Sequence, residues 1–311
     1  MQISVWLESS QSKCWTISSE QIEYLRHKLP EVKVEYARTA DEFLRVLPQT
    51  ETALCWFFQQ DWFANAPRLR YIVTPAAGFD YFNVTPPRGI KVINSQFQGP
   101  LIAETVLGMM LSQIRGVTKG IESMRSSEWP RQEITESMCR FSGSHVLILG
   151  FGHIGRAIGR LAASFGCRIT GIKQNPEVLR PDYFREDDRI LPVSRLHEVL
   201  PKTDHLVLCL PRTPRTDRII GPLELSLLPH RSVLYNVGRG NAVDEAALIE
   251  ALVNRQIAAA YLDVFEKEPL PGDSPLRSLN NCYLMPHSSA ASPDYLNLFI
   301  DDFVPRYLSW H

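Results

Sequence analysis

No apolar run in this 311-residue chain approaches the roughly 20 residues that a bilayer crossing needs, so no membrane partner is expected. The opening Met1-Gln2-Ile3-Ser4-Val5-Trp6-Leu7 has no basic cluster and meets Glu8 before an apolar leader core could form, which argues against a secretory leader. Neither sign of charge is in excess: 33 Lys and Arg against 34 Asp and Glu leave a net charge of −1. Without a basic field to draw in phosphate backbones, nucleic acid is not expected as a partner. The six cysteines (Cys14, Cys55, Cys139, Cys167, Cys209 and Cys282) are dispersed, with no C-x-x-C and no zinc-site spacing, so no metal centre is expected. Cys55 and Cys209 lie inside apolar runs, where a reduced thiol behaves as a small hydrophobe, and the expected home is the cytoplasm. Internal repeats and low-complexity tracts are absent as well.

What is present is ordinary globular composition, 44% hydrophobic and 22% charged. At about 150 residues per domain, the length suggests two domains. Short β-rich runs alternate with helix-like segments, the pattern of parallel sheets with crossover helices. In the first hundred residues strands are expected at 3–7, 32–36, 53–56, 71–73 and 91–93. Helices are expected at 18–29, with Ser18 or Ser19 as cap and Pro30 as stop, and at 40–47. An apolar-periodic segment over 101–124 reads as one long helix, followed by a polar arm at 125–140. A second run places strands at 146–149, 168–172, 205–210, 232–237, 258–262 and 282–285, with helices at 154–165 and 244–254. Within the tail 288–311, the segment 296–310 reads as a helix broken at Pro305. The expected architecture is α/β: two Rossmann-like or flavodoxin-like parallel-sheet domains with an inter-domain cleft. Residues 1–96 plus 288–311 form one domain and 97–287 the other.

The strongest local signal is Gly150-Phe151-Gly152-His153-Ile154-Gly155, lying between an expected strand and an expected helix. In that context Gly150 permits the tight turn, Gly152 lets the backbone approach a pyrophosphate, and Gly155 lets helix and strand pack closely. The N–H groups of His153 and Ile154 then face the anion. The acid that usually meets an adenosine ribose about 20 residues on is missing. Lys173 stands at that strand end, 18 positions after Gly155. An ammonium would attract a 2′-phosphate that a carboxylate would repel, and Arg212 is a second cation on the same side. The reading is NADP(H), with NAD left open if Lys173 is only a solvated loop residue.

Three further segments each follow an expected strand of the second half. They are Asn236-Val237-Gly238-Arg239-Gly240, Leu262-Asp263-Val264-Phe265 with Glu268-Pro269-Leu270, and Pro286-His287-Ser288. Ligands on open α/β sheets bind beyond the carboxyl ends of strands, so an Arg, a Glu and a His falling there are able to face one crevice. Taken singly, each has a plain reading as a turn residue, a solvated acid or a structural histidine. Their order after a dinucleotide fingerprint is what raises them to candidates.

With these motifs the chain resembles the D-isomer-specific 2-hydroxyacid dehydrogenases, in the glyoxylate/hydroxypyruvate reductase-like branch. The resemblance also covers Asn94-Ser95, Ala103-Glu104 and the run from Leu210 through Pro211 and Arg212 to Thr216. Glu268 lies 29 residues after Arg239, and His287 lies 19 after Glu268. The resemblance implies reversible reduction of a small 2-keto acid to the D-2-hydroxy acid by hydride transfer from NAD(P)H. His287 is then the general acid, Glu268 its partner, and Arg239 the anchor for the substrate carboxylate. Asp263 is implied near the nicotinamide carboxamide, although a strand-end cap is an equal reading. Pro211, Thr216 and Val237 are implied to line the cofactor, while Ala77 and Gly78 are implied to offer backbone amides to the substrate carboxylate. Phe79 or Tyr81 would shape the pocket. A homodimer is implied through the 101–124 segment and its arm. The rival reading is a cofactor-gated regulatory protein on a dehydrogenase fold, against which the full Arg239, Glu268 and His287 set argues.

Overall fold

The computed structural model describes residues 1–78, 80–123, 129–176 and 179–310. Phe79, the last residue of the expected 101–124 helix and the start of the polar arm therefore lie outside the described residues. The first sheet contains β1 (Gln2–Trp6), β2 (Lys33–Tyr36), β3 (Thr52–Cys55), β4 (Tyr71–Thr74) and β5 (Lys91–Asn94), in the order β2-β1-β3-β4-β5. The second contains β6 (His145–Leu149), β7 (Arg168–Ile172), β8 (Arg189–Leu191), β9 (His205–Leu208), β10 (Val233–Asn236), β11 (Ala259–Leu262) and β12 (Cys282–Leu284). Its order is β12-β11-β10-β9-β6-β7-β8. Every pairing in both sheets is parallel. The chain divides into two compact units, Met1–Gln98 with Ala291–His311, and Gly99–Ala290.

The sequence pattern explains both sheets. Central strands of a parallel sheet are covered on both faces and read as continuous apolar runs. Accordingly β6, β9, β10 and β11 are buried at every position, whereas the edge strands β8 and β12 are half-exposed. Successive side chains point to opposite faces. Leu147 and Leu149 of β6 enter one core with Leu206, Leu208 and Leu234, while Val146 and Ile148 enter the other with Val207, Val233 and Tyr235. In the second sheet β6 is flanked by β7 on one side and β9 on the other, so the strand order reverses there. The crevice outside the carboxyl ends of the strands at such a reversal is where ligands bind.

Two expected helices come out differently. The 101–124 segment is divided: a helix runs over Gln98–Ile114, and a second covers Val117–Ser123. Gly116, at φ +65°, takes the left-handed conformation that ends the first. The final helix is not broken at Pro305 but runs through it, over Tyr295–Ser309. A proline inside a helix costs about 3 kcal/mol. Here Phe299, Ile300, Phe303, Val304 and Tyr307 are all buried and Trp310 stacks on Tyr71 at 4.4 Å, which more than offsets that cost. The three-residue β8 and the helix Pro222–Leu227 were not anticipated.

The amino end of the second sheet, away from its ligand-binding edge, buries two histidines. His145 opens β6 with Nδ1 2.9 Å from the Lys202 carbonyl and Nε2 2.8 Å from Thr170 Oγ1. His205 opens β9, with Nδ1 3.1 Å from the Tyr235 hydroxyl. Burial pushes the His205 imidazole down to about 4. The folded state thus keeps it neutral, while the unfolded chain takes up a proton near pH 6.5. Its contribution to stability is complete above pH 6.5 and is lost as the pH falls toward 4. Chemical denaturation at pH 7 and pH 4 should therefore show a wild-type loss that exceeds that of His205→Gln by about 3 kcal/mol. Equal losses in the two proteins would contradict this.

Candidate active site

At the carboxyl end of β6 the glycine-rich turn is held by sterics. Gly150 sits at φ +91°, and a Cβ there would lie 2.5 Å from the Cys209 carbonyl oxygen. At Gly155 a Cβ would come within 2.4 Å of the Gly150 oxygen, so only glycine lets the helix His153–Ser164 start this close to β6. Gly152 is different: a Cβ there would meet nothing within 4 Å. The backbone is bare on that side, and Gly152 caps the helix without any side-chain hydrogen bond. The first intrahelical bond runs from Arg156 N–H to the Gly152 carbonyl, which leaves the amides of His153, Ile154 and Gly155 at the turn. A bare glycine backbone beside unsatisfied helix-start amides fits a dinucleotide pyrophosphate.

The neighbouring strand ends supply the remaining expected cofactor residues. Lys173 follows β7, half-buried, with its N–H on the Leu191 carbonyl at 3.0 Å. After β9, Pro211 and Arg212 are exposed. Thr216 is occupied by its own loop, donating to the Pro211 carbonyl at 2.6 Å and accepting from Thr213 N–H at 3.0 Å. Val237 turns its side chain into the core. The Gly238 backbone lies against Leu210, where a Cβ would be 2.6 Å from the Leu210 nitrogen. Both carboxylate oxygens of the buried Asp263 accept backbone N–H bonds, from Ser288 at 2.7 Å and from Ser289 at 3.0 Å. Asp263 thus fastens the loop that carries His287, as expected of a strand-end cap, the second of its two readings.

Three loops, following the adjacent strands β10, β11 and β12, carry Arg239, Glu268 and His287. His287 Nδ1 lies 2.7 Å from Glu268 Oε2. The other oxygen, Oε1, accepts the Phe265 N–H at 3.0 Å, so the carboxylate cannot rotate away from the ring. His287 itself sits at φ +53°, a strained conformation for a side chain with a Cβ, with its N–H on the Asp263 carbonyl at 2.9 Å. With Nδ1 engaged by Glu268, Nε2 is the ring nitrogen left to transfer a proton. The hydrogen bond that the ring donates to Glu268 raises the imidazole above its ordinary value, burial opposes this, and the charges of Glu268 and Asp263 add to the rise. Burial alone would raise Glu268. The hydrogen bonds from His287 and Phe265, with the charges of His287 and Arg239, outweigh it and hold the carboxyl low. The Arg239 charge is felt by both members of the pair, and its Nη1 donates to the Gly238 carbonyl at 2.9 Å.

In the first unit the loop after β4 has its carbonyls tied down in succession. Thr74 O accepts from Ser95 Oγ at 2.9 Å, Pro75 O from the Tyr295 hydroxyl at 3.0 Å, Ala76 O from Ser95 N–H at 3.0 Å, and Ala77 O from Asn94 Nδ2. The Ala76 N–H turns back onto Thr74 Oγ1 at 3.3 Å, and Ala77 and Gly78 follow it in the loop. Tyr81 bonds Thr74 Oγ1 at 2.6 Å and is partly exposed. Among the described residues no cluster of His, Cys, Asp and Glu could hold a metal ion.

Comparison with known proteins agrees with this layout. Residues 107–289 match the family model described as D-isomer specific 2-hydroxyacid dehydrogenase, NAD binding domain. A glyoxylate reductase of Thermococcus gammatolerans is 34% identical over 84% of this chain and 77% of its own length. A glyoxylate/hydroxypyruvate reductase B of Pectobacterium atrosepticum is 35% identical over 75% of this chain and 73% of its own. Among solved structures, a D-isomer specific 2-hydroxyacid dehydrogenase from Xanthobacter autotrophicus Py2, in complex with NADPH and MES, superposes with a TM-score of 0.83. It is 27% identical, with 99% of this chain and 95% of that one covered.

The paired side chains fix a pH window. The pair's stabilisation is complete only between the ordinary carboxyl and imidazole values, 4.5 and 6.5; it fades as the pH rises from there through the raised His287 pKa, and as it falls through the lowered Glu268 pKa. An NMR titration of the His287 ring should give a pKa above that of a free imidazole, and Glu268→Gln should bring it down. A ring that titrates identically in both proteins would contradict the coupling.

Proposed function

The chain belongs to the D-isomer specific 2-hydroxyacid dehydrogenase family, and on that premise we propose that it reduces a short 2-keto acid to the D-2-hydroxy acid with NADPH. Glyoxylate and hydroxypyruvate are the substrates we favour, because reductases of those acids are among its relatives. The observation that carries the reading is the 2.7 Å contact between Glu268 and His287.

Reduction adds a hydride to the carbonyl carbon and a proton to the oxygen. A bound reduced nicotinamide supplies the hydride. Arg239 would grip the substrate carboxylate in bidentate fashion and polarise the carbonyl as charge grows on oxygen. His287 Nε2 would deliver the proton, while Glu268 holds the proton on Nδ1 and keeps the ring cationic to higher pH. Gly150 and Gly152, with the amides of His153, Ile154 and Gly155, would receive the pyrophosphate; Pro211 and Thr216 would line the same cofactor, and Val237, its side chain in the core, would meet it only through its backbone. Lys173 and Arg212 would attract a ribose 2′-phosphate. Asp263 is assigned to the cofactor only through the loop it fastens. In the first unit Ala77 and Gly78 are the proposed carboxylate-binding amides. A purely regulatory reading has no use for a proton donor tuned by a carboxylate, and we do not favour it.

A homodimer is part of the proposal. A surface groove of about 280 Å³ is lined by Gly108, Met109, Ser112, Tyr261, Tyr283, Leu284 and Met285, and Val117, Ile121 and Trp129 are exposed nearby in sequence. We also assign the chain to the cytoplasm, on the dispersed cysteines, all of which are free thiols. No helix among the described residues is long and apolar enough to cross a membrane.

The test is the decay of reduced-nicotinamide absorbance with glyoxylate, hydroxypyruvate and pyruvate, with NADPH and NADH compared. NADPH should support turnover on at least one of these acids with the higher kcat/KM. Lys173→Asp should move the preference toward NADH by roughly tenfold or more, since it replaces attraction for the 2′-phosphate by repulsion. Cofactor binding without turnover on any of the acids would overturn the activity, and an unmoved cofactor ratio would overturn the role of Lys173.

A further inference from the structure

The Arg239 turn is held by a side chain to which the motifs assign no task. Asn236, the last residue of β10, is buried to 1% exposure. Its Oδ1 accepts the Gly238 N–H at 3.2 Å and its Nδ2 donates to the Arg239 carbonyl at 3.1 Å. One carboxamide thus clamps the backbone on both sides of the guanidinium-bearing residue. The main-chain carbonyl of Asn236 accepts the Asp263 N–H at 2.9 Å, and Asp263 in turn fastens the backbone at His287, Ser288 and Ser289. The turn is also wedged from below. A Cβ at Gly240 would lie 1.9 Å from the Phe265 carbonyl carbon, so this glycine packs against the peptide whose N–H side leads into the Glu268 loop.

We propose that Asn236 is a positioning residue for Arg239, setting where the guanidinium stands relative to the Glu268–His287 pair. This rests on the reading of Arg239 as the carboxylate anchor. A buried Asn in an ordinary turn would serve stability alone. Here the clamped residue is the anchor itself, and the same Asn is bonded to the strand end that orients the proton donor. Without the clamp the fold keeps its sheets, but the guanidinium samples several positions, and displacements of about 1 Å cost up to about 100-fold in rate.

The experiment compares Asn236→Ala, Arg239→Ala and the double variant in steady-state glyoxylate reduction, with NADPH affinity measured by fluorescence titration. Asn236→Ala should raise the KM for the keto acid by roughly 10- to 100-fold while NADPH affinity stays within about twofold. The double variant should be no worse than Arg239→Ala, because the clamp has nothing left to position. A wild-type KM in Asn236→Ala, or losses that multiply in the double variant, would overturn the proposal while leaving the anchor role intact. If Arg239→Ala itself leaves the KM unchanged, the anchor reading falls and this inference falls with it. Should Asn236→Ala fail to fold, Asn236→Ser, whose single short hydroxyl cannot span both the Gly238 N–H and the Arg239 carbonyl, carries the same test.

Discussion

A carboxylate held at both oxygens governs the chemistry of this site. Glu268 Oε1 is fixed by the Phe265 N–H of its own loop, and that bond leaves Oε2 at 2.7 Å from His287 Nδ1. A freely rotating glutamate would spend much of its time in water, and exposed ion pairs contribute little. Because this one is tethered, its charge reaches the imidazole in a constant geometry, and the ring holds its proton at higher pH. The strained backbone at His287 belongs to the same arrangement. Hydrogen bonds from Ser288 and Ser289 to Asp263 secure a conformation that the histidine alone would leave.

The parallel sheet supplies the platform on which this works. Strands β10, β11 and β12 are neighbours, so the loops after them begin about 5 Å apart in turn. Side chains from three distant parts of the sequence thereby reach one place with short loops. The cross-ties run perpendicular to the chain: Asn236 to Asp263, then Asp263 to the His287 loop, with Gly240 against the Phe265 peptide. Glycine recurs where backbones touch, at 150, 155, 238 and 240, because any side chain there would separate elements that the site needs in contact.

Much of this was legible in the residues. Apolar four-residue runs marked the central strands, since a strand covered on both faces has no polar alternation to disguise it. The edge strand β8 went unread because a three-residue, half-exposed segment carries no such run. The 101–124 segment kept a helical period through Gly116, and periodicity alone does not reveal a left-handed residue. Pro305 misled in the opposite direction, because local propensity was outweighed by the aromatic residues buried around it. At the site, the Arg, Glu and His were visible as strand-end residues. The task of Asn236 was not, since a buried amide declares its role only through the backbone groups it meets. The Asn-x-Gly spacing was the one available hint, as asparagine side chains commonly bond the backbone two residues on.

Proton delivery by His287 is the centre of the account, and kinetics of His287→Ala beside cofactor binding tests it most directly. Reduction of glyoxylate with NADPH should fall by roughly 100-fold or more in kcat, while the affinity for NADPH remains that of the wild type. Turnover that survives the substitution would show that the proton comes from elsewhere and would contradict the account.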